Sequence, residues 1–252
     1  MTTKENQQKF GFKFGQNGAH SARTMMFSEL TQLFEGQPVN AKPDDYRDDI
    51  EQANVLHKPT SKSRTLTWRH LVDLYGMDTE ITLFRIFRQL WEIDASVRPL
   101  LACQMALTRD PKILSLQLGE HLPREDMEQA ISDQYPDRFS AASLKSLAQN
   151  VNGTWTNAGY LHGRNKKHRA EPDVRPVNVA FALLLGYLQG ATGNRLFNTE
   201  WTKMLGCRQE RLVELARQAS YSGLIDFKHS SEVMEVTFPN YLNEEEESWL
   251  YE

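Results

Sequence analysis

Apolar residues recur at three- and four-residue spacing through most of the chain, the period of helices that bury one face. Met25, Met26, Leu30, Leu33 and Phe34 share such a face, and a Gly36-Gln37-Pro38 break follows. Asp44 and Asp45 then open a helix through Tyr46, Ile50, Ala53 and Val55. Ser61 or Ser63 caps the next helix, whose Leu66, Leu71, Leu74 and Tyr75 point inward until Gly76 ends it. Ile81 to Ile93 carries Phe84, Ile86, Phe87, Leu90 and Trp91. Pro99, at a first-turn position, starts a helix that Asp110-Pro111 closes. Ser140 caps Ala141 to Val151, and Pro176 begins the most apolar helix, Val177 to Leu188. Strand patterning is almost absent before residue 224, and no repeat of fixed period is present. The predicted fold class is mainly α, a multi-helix bundle.

The pattern changes near the C-terminal end. From Asn198 a short helix, a tight turn at Leu205-Gly206-Cys207 and a longer helix from about Arg208 to Tyr221 precede two short strands. Leu212, Leu215, Ala216 and Ala219 form the apolar stripe of the longer helix, while Arg208, Gln209, Arg211, Arg217 and Gln218 occupy the remainder. Gly223 is suited to the positive φ that ends a helix. Leu224 to Lys228 reads as the first strand, His229-Ser230-Ser231 as the turn, and Val233 to Phe238 as the return strand stopped by Pro239. This order predicts a C-terminal winged helix-turn-helix, whose second helix enters the major groove while the wing touches the flanking backbone. A weaker echo lies between Tyr46 and Tyr75: helix, short polar turn, helix, with Lys62, Arg64, Arg69 and His70 off the apolar stripe and Lys58 just before it. It is a candidate N-terminal helix-turn-helix, or equally a solvated face on an ordinary helical hairpin. The expected organisation is a flexible arm over 1–23 and a helical hairpin over 24–78. A central helical domain with a basic loop at 154–175 fills 79–193, followed by the winged helix at 194–242 and an acidic tail at 243–252.

With 252 residues, 29 Lys plus Arg against 33 Asp plus Glu, and a formal charge of −4, the chain is no bulk polycation, so nucleic-acid affinity has to come from local patches. Charge is segregated along the sequence. Lys145, Arg164, Lys166, Lys167, Arg169 and Arg175 cluster, Glu120 to Asp137 is acidic, and Glu244 to Glu247 form an acidic run. Cys103 and Cys207 give neither a disulfide framework nor a zinc pattern. No hydrophobic signal region opens the sequence, and the longest apolar run, Val179 to Leu188, is too short to span a bilayer. A cytoplasmic protein without membrane partners is expected.

The richest polar constellation is Thr154-Trp155-Thr156-Asn157 followed by His162 to Arg169. Hydroxyls, amides, Lys and Arg are the groups that grip phosphodiester oxygens, and Trp155 is placed to stack or to anchor, so this segment reads as a backbone clamp or as a solvated linker. Catalytic readings are weaker. A metal-dependent nuclease would have to join Asp173 to Asp226 and Lys228 across distant segments. The seven histidines show no metal-ligand spacing, and no glycine-rich phosphate loop follows a strand. No cofactor, metal or catalytic residue is expected, and the chain reads as a binder.

Several strings look familiar: Gly18-Ala19-His20-Ser21-Ala22-Arg23-Thr24-Met25-Met26, Asn54 to Ser61, Arg109-Asp110-Pro111, and Phe181 to Leu188. Together they resemble the BrxA-like proteins of bacterial BREX phage-defence islands over most of the chain. The resemblance implies a small helical DNA-binding protein with helix-turn-helix elements that works beside a methyltransferase and ATPases of the same island. The Phe-Gly segment before Gly18 and the acidic residues after Asn243 have no counterpart in it. The leading expectation is a non-enzymatic binder of double-stranded DNA with weak sequence preference. Its contact set is Lys58, Lys62, Arg64 and Arg69, then Thr154, Trp155, Arg164, Lys166, Lys167 and Arg169, then Arg208, Gln209 and Arg211. The alternatives are an adaptor that docks other defence-system proteins through its aromatic arm (Phe10, Phe12, Phe14) and acidic tail, and a transcriptional regulator.

Overall fold

The computed structural model describes residues 2–14, 25–107, 111–230 and 233–251. The first of the familiar strings through Thr24, together with Arg109, Asp110 and Ser231, lies outside them. The described residues are mainly helical. The helices are α1 (Lys4–Phe10), α2 (Phe27–Gly36), α3 (Pro43–Glu51), α4 (Ser61–Tyr75), α5 (Thr82–Trp91), α6 (Arg98–Leu107), α7 (Arg124–Gln134), α8 (Ala141–Asn157), α9 (Pro176–Leu188), α10 (Glu200–Met204), α11 (Gln209–Tyr221) and α12 (Glu244–Ser248). The strands are β1 (His121–Leu122), β2 (Leu161–His162), β3 (Lys167–Arg169), β4 (Asp226–Ser230) and β5 (Val233–Thr237). Three strands therefore precede residue 224, where the sequence pattern shows almost none. At two or three residues each they are too short to display a period of two.

The chain divides into two compact units, each assembled from separated segments. The first comprises Met1–Phe14, Asp78–Gln104 and Asp173–Glu252. Its core is α9, on which Val179 to Leu185 and Leu188 are all buried. A helix apolar on every side must be enclosed, and α10, α11 and a 3-10 turn at Gly193–Asn198 pack around it. Asn178, fully buried on the same helix, is kept from orphaning its amide: it donates to the Val97 carbonyl at 3.3 Å and to Gln104 Oε1 at 3.2 Å, and accepts from the Arg175 N–H at 3.1 Å.

In the same unit residues 4–10 of the expected flexible arm form a helix, and its residues 15–23 lie outside the described residues. Thr3 caps α1 by accepting from the Asn6 N–H, and Phe10 and Phe12 are buried. The acidic run is a helix as well. Asn243 and Glu246 form the reciprocal capping pair of α12, and Glu246 reaches into the unit, accepting from Thr82 Oγ1 at 2.5 Å and from Arg85 Nη2 at 2.6 and 2.7 Å. The two segments meet: Phe10 packs edge-on against Trp249 with ring centres 5.2 Å apart, and the Asn6 side chain donates to the Trp249 carbonyl at 2.9 Å.

The second unit comprises Gly15–Met77 and Met105–Pro172. Helices α3 and α4 pack as a pair over Tyr46, Ile50, Leu71 and Leu74. Thr60, rather than Ser61 or Ser63, caps α4, with Ser63 completing the capping box. The link from α3 to α4 covers residues 52–60 and is shaped by Asn54, whose side chain bonds Lys58 in both directions. That is more than twice the three or four residues of a helix-turn-helix turn, so this pair is a helical hairpin and not the second helix-turn-helix anticipated at the N-terminal side. Elsewhere α7 lies along α8, and β1, β3 and β2 form an antiparallel three-stranded sheet in that spatial order.

Candidate nucleic-acid interface

A run of exposed polar side chains on a well-anchored element of the first unit forms the outer face of α11. Leu212, Val213, Leu215, Ala216 and Ala219 are buried, which turns Gln209, Glu210, Arg211, Glu214 and Arg217 to the surface beside the capping residue Arg208. The C-terminal end of α11 closes as a Schellman turn: the Gly223 N–H bonds the Ser220 carbonyl at 3.0 Å and the Leu224 N–H bonds Ala219 at 2.9 Å. Gly223 has φ +71° there, a conformation that side chains with a Cβ resist.

The chain then enters β4, which pairs with β5 in register from Asp226↔Thr237 to Ser230↔Val233. This ribbon is tied to α11 at two points. The Phe227 N–H donates to Ser220 Oγ at 3.1 Å, and Arg217 Nη2 lies 3.1 Å from His229 Nδ1. Phe227 also packs on Phe197 of the 3-10 turn with ring centres 5.4 Å apart, so ribbon, turn and helix are held together. Glu214 and Arg217 pair loosely at 3.9 Å. Arg208 and Arg211 form no ion pair or hydrogen bond with other described side chains, so their guanidinium donors face solvent.

In the second unit the anticipated contact residues separate into exposed and committed ones. Lys62 and Arg69 stand exposed on the outer face of α4. Arg164 and Lys166 are exposed in the turn between β2 and β3, and Lys167 is half-buried, donating to the Gly163 carbonyl at 2.7 Å. The remainder do not offer themselves to a ligand. Lys58 is neutralised by Glu29 at 2.8 Å, Arg64 is half-buried, and His70 is buried.

Thr154 and Trp155 belong to α8 rather than to a loop and are 1% and 2% exposed. Thr154 Oγ1 accepts from the Met25 N–H at 3.1 Å, and Trp155 packs edge-on against Tyr160 with ring centres 4.9 Å apart. Both are core residues, which corrects the expected phosphate clamp. An apolar periodicity that runs on past Val151 put them inside the helix. Arg169 is likewise buried, its guanidinium over the Tyr160 ring and donating to the Tyr160 and Ala170 carbonyls. Burial lowers the affinity of that guanidinium for its proton.

One arrangement was only partly legible in the sequence. His121 of β1, His168 of β3 and His162 of β2 occupy opposed positions across the sheet, with ring centres 5.3 and 5.5 Å apart in sequence along the row. The signal was the pair His162 and His168 on either side of a glycine-led turn, which a hairpin register brings face to face; His121 joins through pairing that no local spacing reveals. Among the described residues no three His, Cys, Asp or Glu side chains converge as a ready metal-holding group. A small pocket in the same unit, 220 Å³ in volume, is lined by Ile113, Leu116, Leu122 and Met127 with Asp126 and Gln129 at its polar side. Among the described residues no helix is long and apolar enough to cross a membrane. No protein-family model, curated protein or solved structure matches the chain.

Proposed function

We propose that the chain is a non-enzymatic double-stranded DNA-binding protein that docks α11 in the major groove. The carrying observation is the packing of α9, α10 and α11 with the tied β4–β5 ribbon, which leaves the first turn of α11 exposed with Arg208, Gln209 and Arg211 uncovered. We read this as a winged helix-turn-helix with α9 as its first helix, α10 and α11 as the helix-turn-helix pair, and β4–β5 as the wing. Arg208 and Arg211 at the start of such a helix can grip phosphates along the groove, Gln209 can address an adenine edge, and Lys228 on the wing can meet a flanking phosphate. The mixed signs on α11 fit modest affinity and weak sequence preference. The phage-defence setting rests on the resemblance of short strings to BrxA-like proteins and stands as part of this proposal.

The test is fluorescence anisotropy of the full chain on a labelled duplex across a salt series. Contacts from Arg208, Arg211 and Lys228 predict a slope of log affinity against log salt of about −3, since each neutralised phosphate contributes roughly 0.9. Arg208→Ala with Arg211→Ala is expected to flatten the slope by about 2. Absence of binding at about 50 mM salt, or binding indifferent to salt, overturns the reading. A second reading, a protein-docking adaptor, rests on Tyr221 and Val233, which are 90% and 69% exposed on the same module, whereas Phe10 and Phe12 are buried. Substituting both by Ser with no change in DNA affinity but loss of a co-purifying partner would favour it.

A further inference from the structure

The histidine row on the β1–β3–β2 sheet has the spacing and the chemistry of a metal chelate. Two imidazoles on one tetrahedral divalent ion, with metal–nitrogen bonds of about 2.0–2.1 Å, place their ring centres about 5.2 Å apart. The centres of His121 and His168 are 5.3 Å apart and those of His162 and His168 are 5.5 Å apart. Register separates the two pairs. The Arg169 N–H bonds the Glu120 carbonyl at 2.9 Å, so His121 and His168, one position along, form a non-hydrogen-bonded pair, the kind whose side chains stand closest. The Ala170 N–H bonds the Tyr160 carbonyl at 2.8 Å, which makes His162 and His168 the wider kind.

No described residue hydrogen-bonds a ring nitrogen of the three histidines, while the opposite face of the sheet turns Leu122, Leu161 and Arg169 into the core. Charge also favours one end: Arg164 and Lys166 adjoin His162, whereas Glu120 adjoins His121. We propose that His121 and His168 chelate a divalent transition-metal ion of the imidazole-preferring class, Zn²⁺ or Cu²⁺, clipping β1 to β3. The clip joins strands separated in sequence by α7 and α8, and it steadies the turn that carries Arg164 and Lys166. It does not depend on the DNA-binding reading.

The experiment is calorimetric titration of Zn²⁺ into the full chain carrying no affinity tag, with Cu²⁺ electron paramagnetic resonance to count imidazole nitrogens. One ion per chain, micromolar affinity and two imidazole nitrogens are expected. His168→Gln should abolish binding, and His121→Gln should weaken it by at least the roughly 10- to 100-fold that loss of an outer partner alone costs. His229→Gln should leave it unchanged, and circular dichroism melts report whether each variant is folded. Binding that survives His168→Gln, or no binding at about 0.1 mM Zn²⁺, overturns the proposal.

Discussion

Glu246 shows how a single acidic residue in an acidic run can be structural. Burial by itself would raise its carboxyl, but the hydrogen bonds from Thr82, the Asn243 N–H and Arg85, with the Arg85 charge, outweigh that and hold it below the ordinary glutamate range. A carboxylate held low in the folded state contributes stability that is complete above the ordinary range and is lost as pH falls through the folded value. Glu246→Gln should therefore cost about 2 kcal/mol at neutral pH, less than a fully buried pair because Arg85 is 28% exposed, and the deficit should shrink in acid. Urea midpoints of parent and variant at neutral and acidic pH measure both effects.

Two glycines make a second comparison. At Gly163, φ +99°, a Cβ would lie 2.1 Å from the Lys166 carbonyl oxygen, whereas at Gly223, φ +71°, it would meet nothing within 4 Å. Gly223→Ala should cost only the left-handed strain, about 1 kcal/mol, and Gly163→Ala should cost about 2 kcal/mol or more by forcing the β2–β3 turn open. Thermal denaturation of the two variants side by side checks the order.

Among elements, the turn between α10 and α11 offers a direct probe. Cys207 there is half-buried next to Arg208, while Cys103 is buried and its thiol is pushed strongly up by desolvation. Ellman titration of the native chain should give one fast equivalent and a second only on unfolding. Bound duplex should slow the fast one, and a bulky maleimide on Cys207 should abolish DNA binding.

The elements themselves were unevenly legible. The limits of α9 follow from Pro176 and its apolar run, and the end of α11 follows from Gly223, because both signals are local. The extension of α8 through Trp155 and the Asn54 turn before α4 rest on local signals that the polar composition of both segments obscured, whereas the three short strands were not legible because pairing from elsewhere in the chain decides them. The histidine row is the extreme case, since its geometry exists only once β1 has found β3.

For the whole molecule, periodicity predicted a mainly helical chain but suggested domains laid end to end, with a flexible arm before them and an acidic tail after them. The two units instead interleave in sequence, and such a division depends on contacts of long separation to which local pattern is blind. Hydrogen exchange gives a prediction at this scale. Glu246→Gln should lower protection in α1, α5 and α12 while α2 to α4 keep theirs, and uniform loss across both units would show that they unfold as one.

The meeting of Asn6 with Trp249 spans 243 positions of sequence. On a ribosome adding roughly 5–20 residues per second, α1 emerges and then waits about 10–50 s for α12. During that interval Phe10 and Phe12 have no Trp249 or Trp201 to cover them, so the apolar surface of α1 stays open to water until the rest of its unit is made.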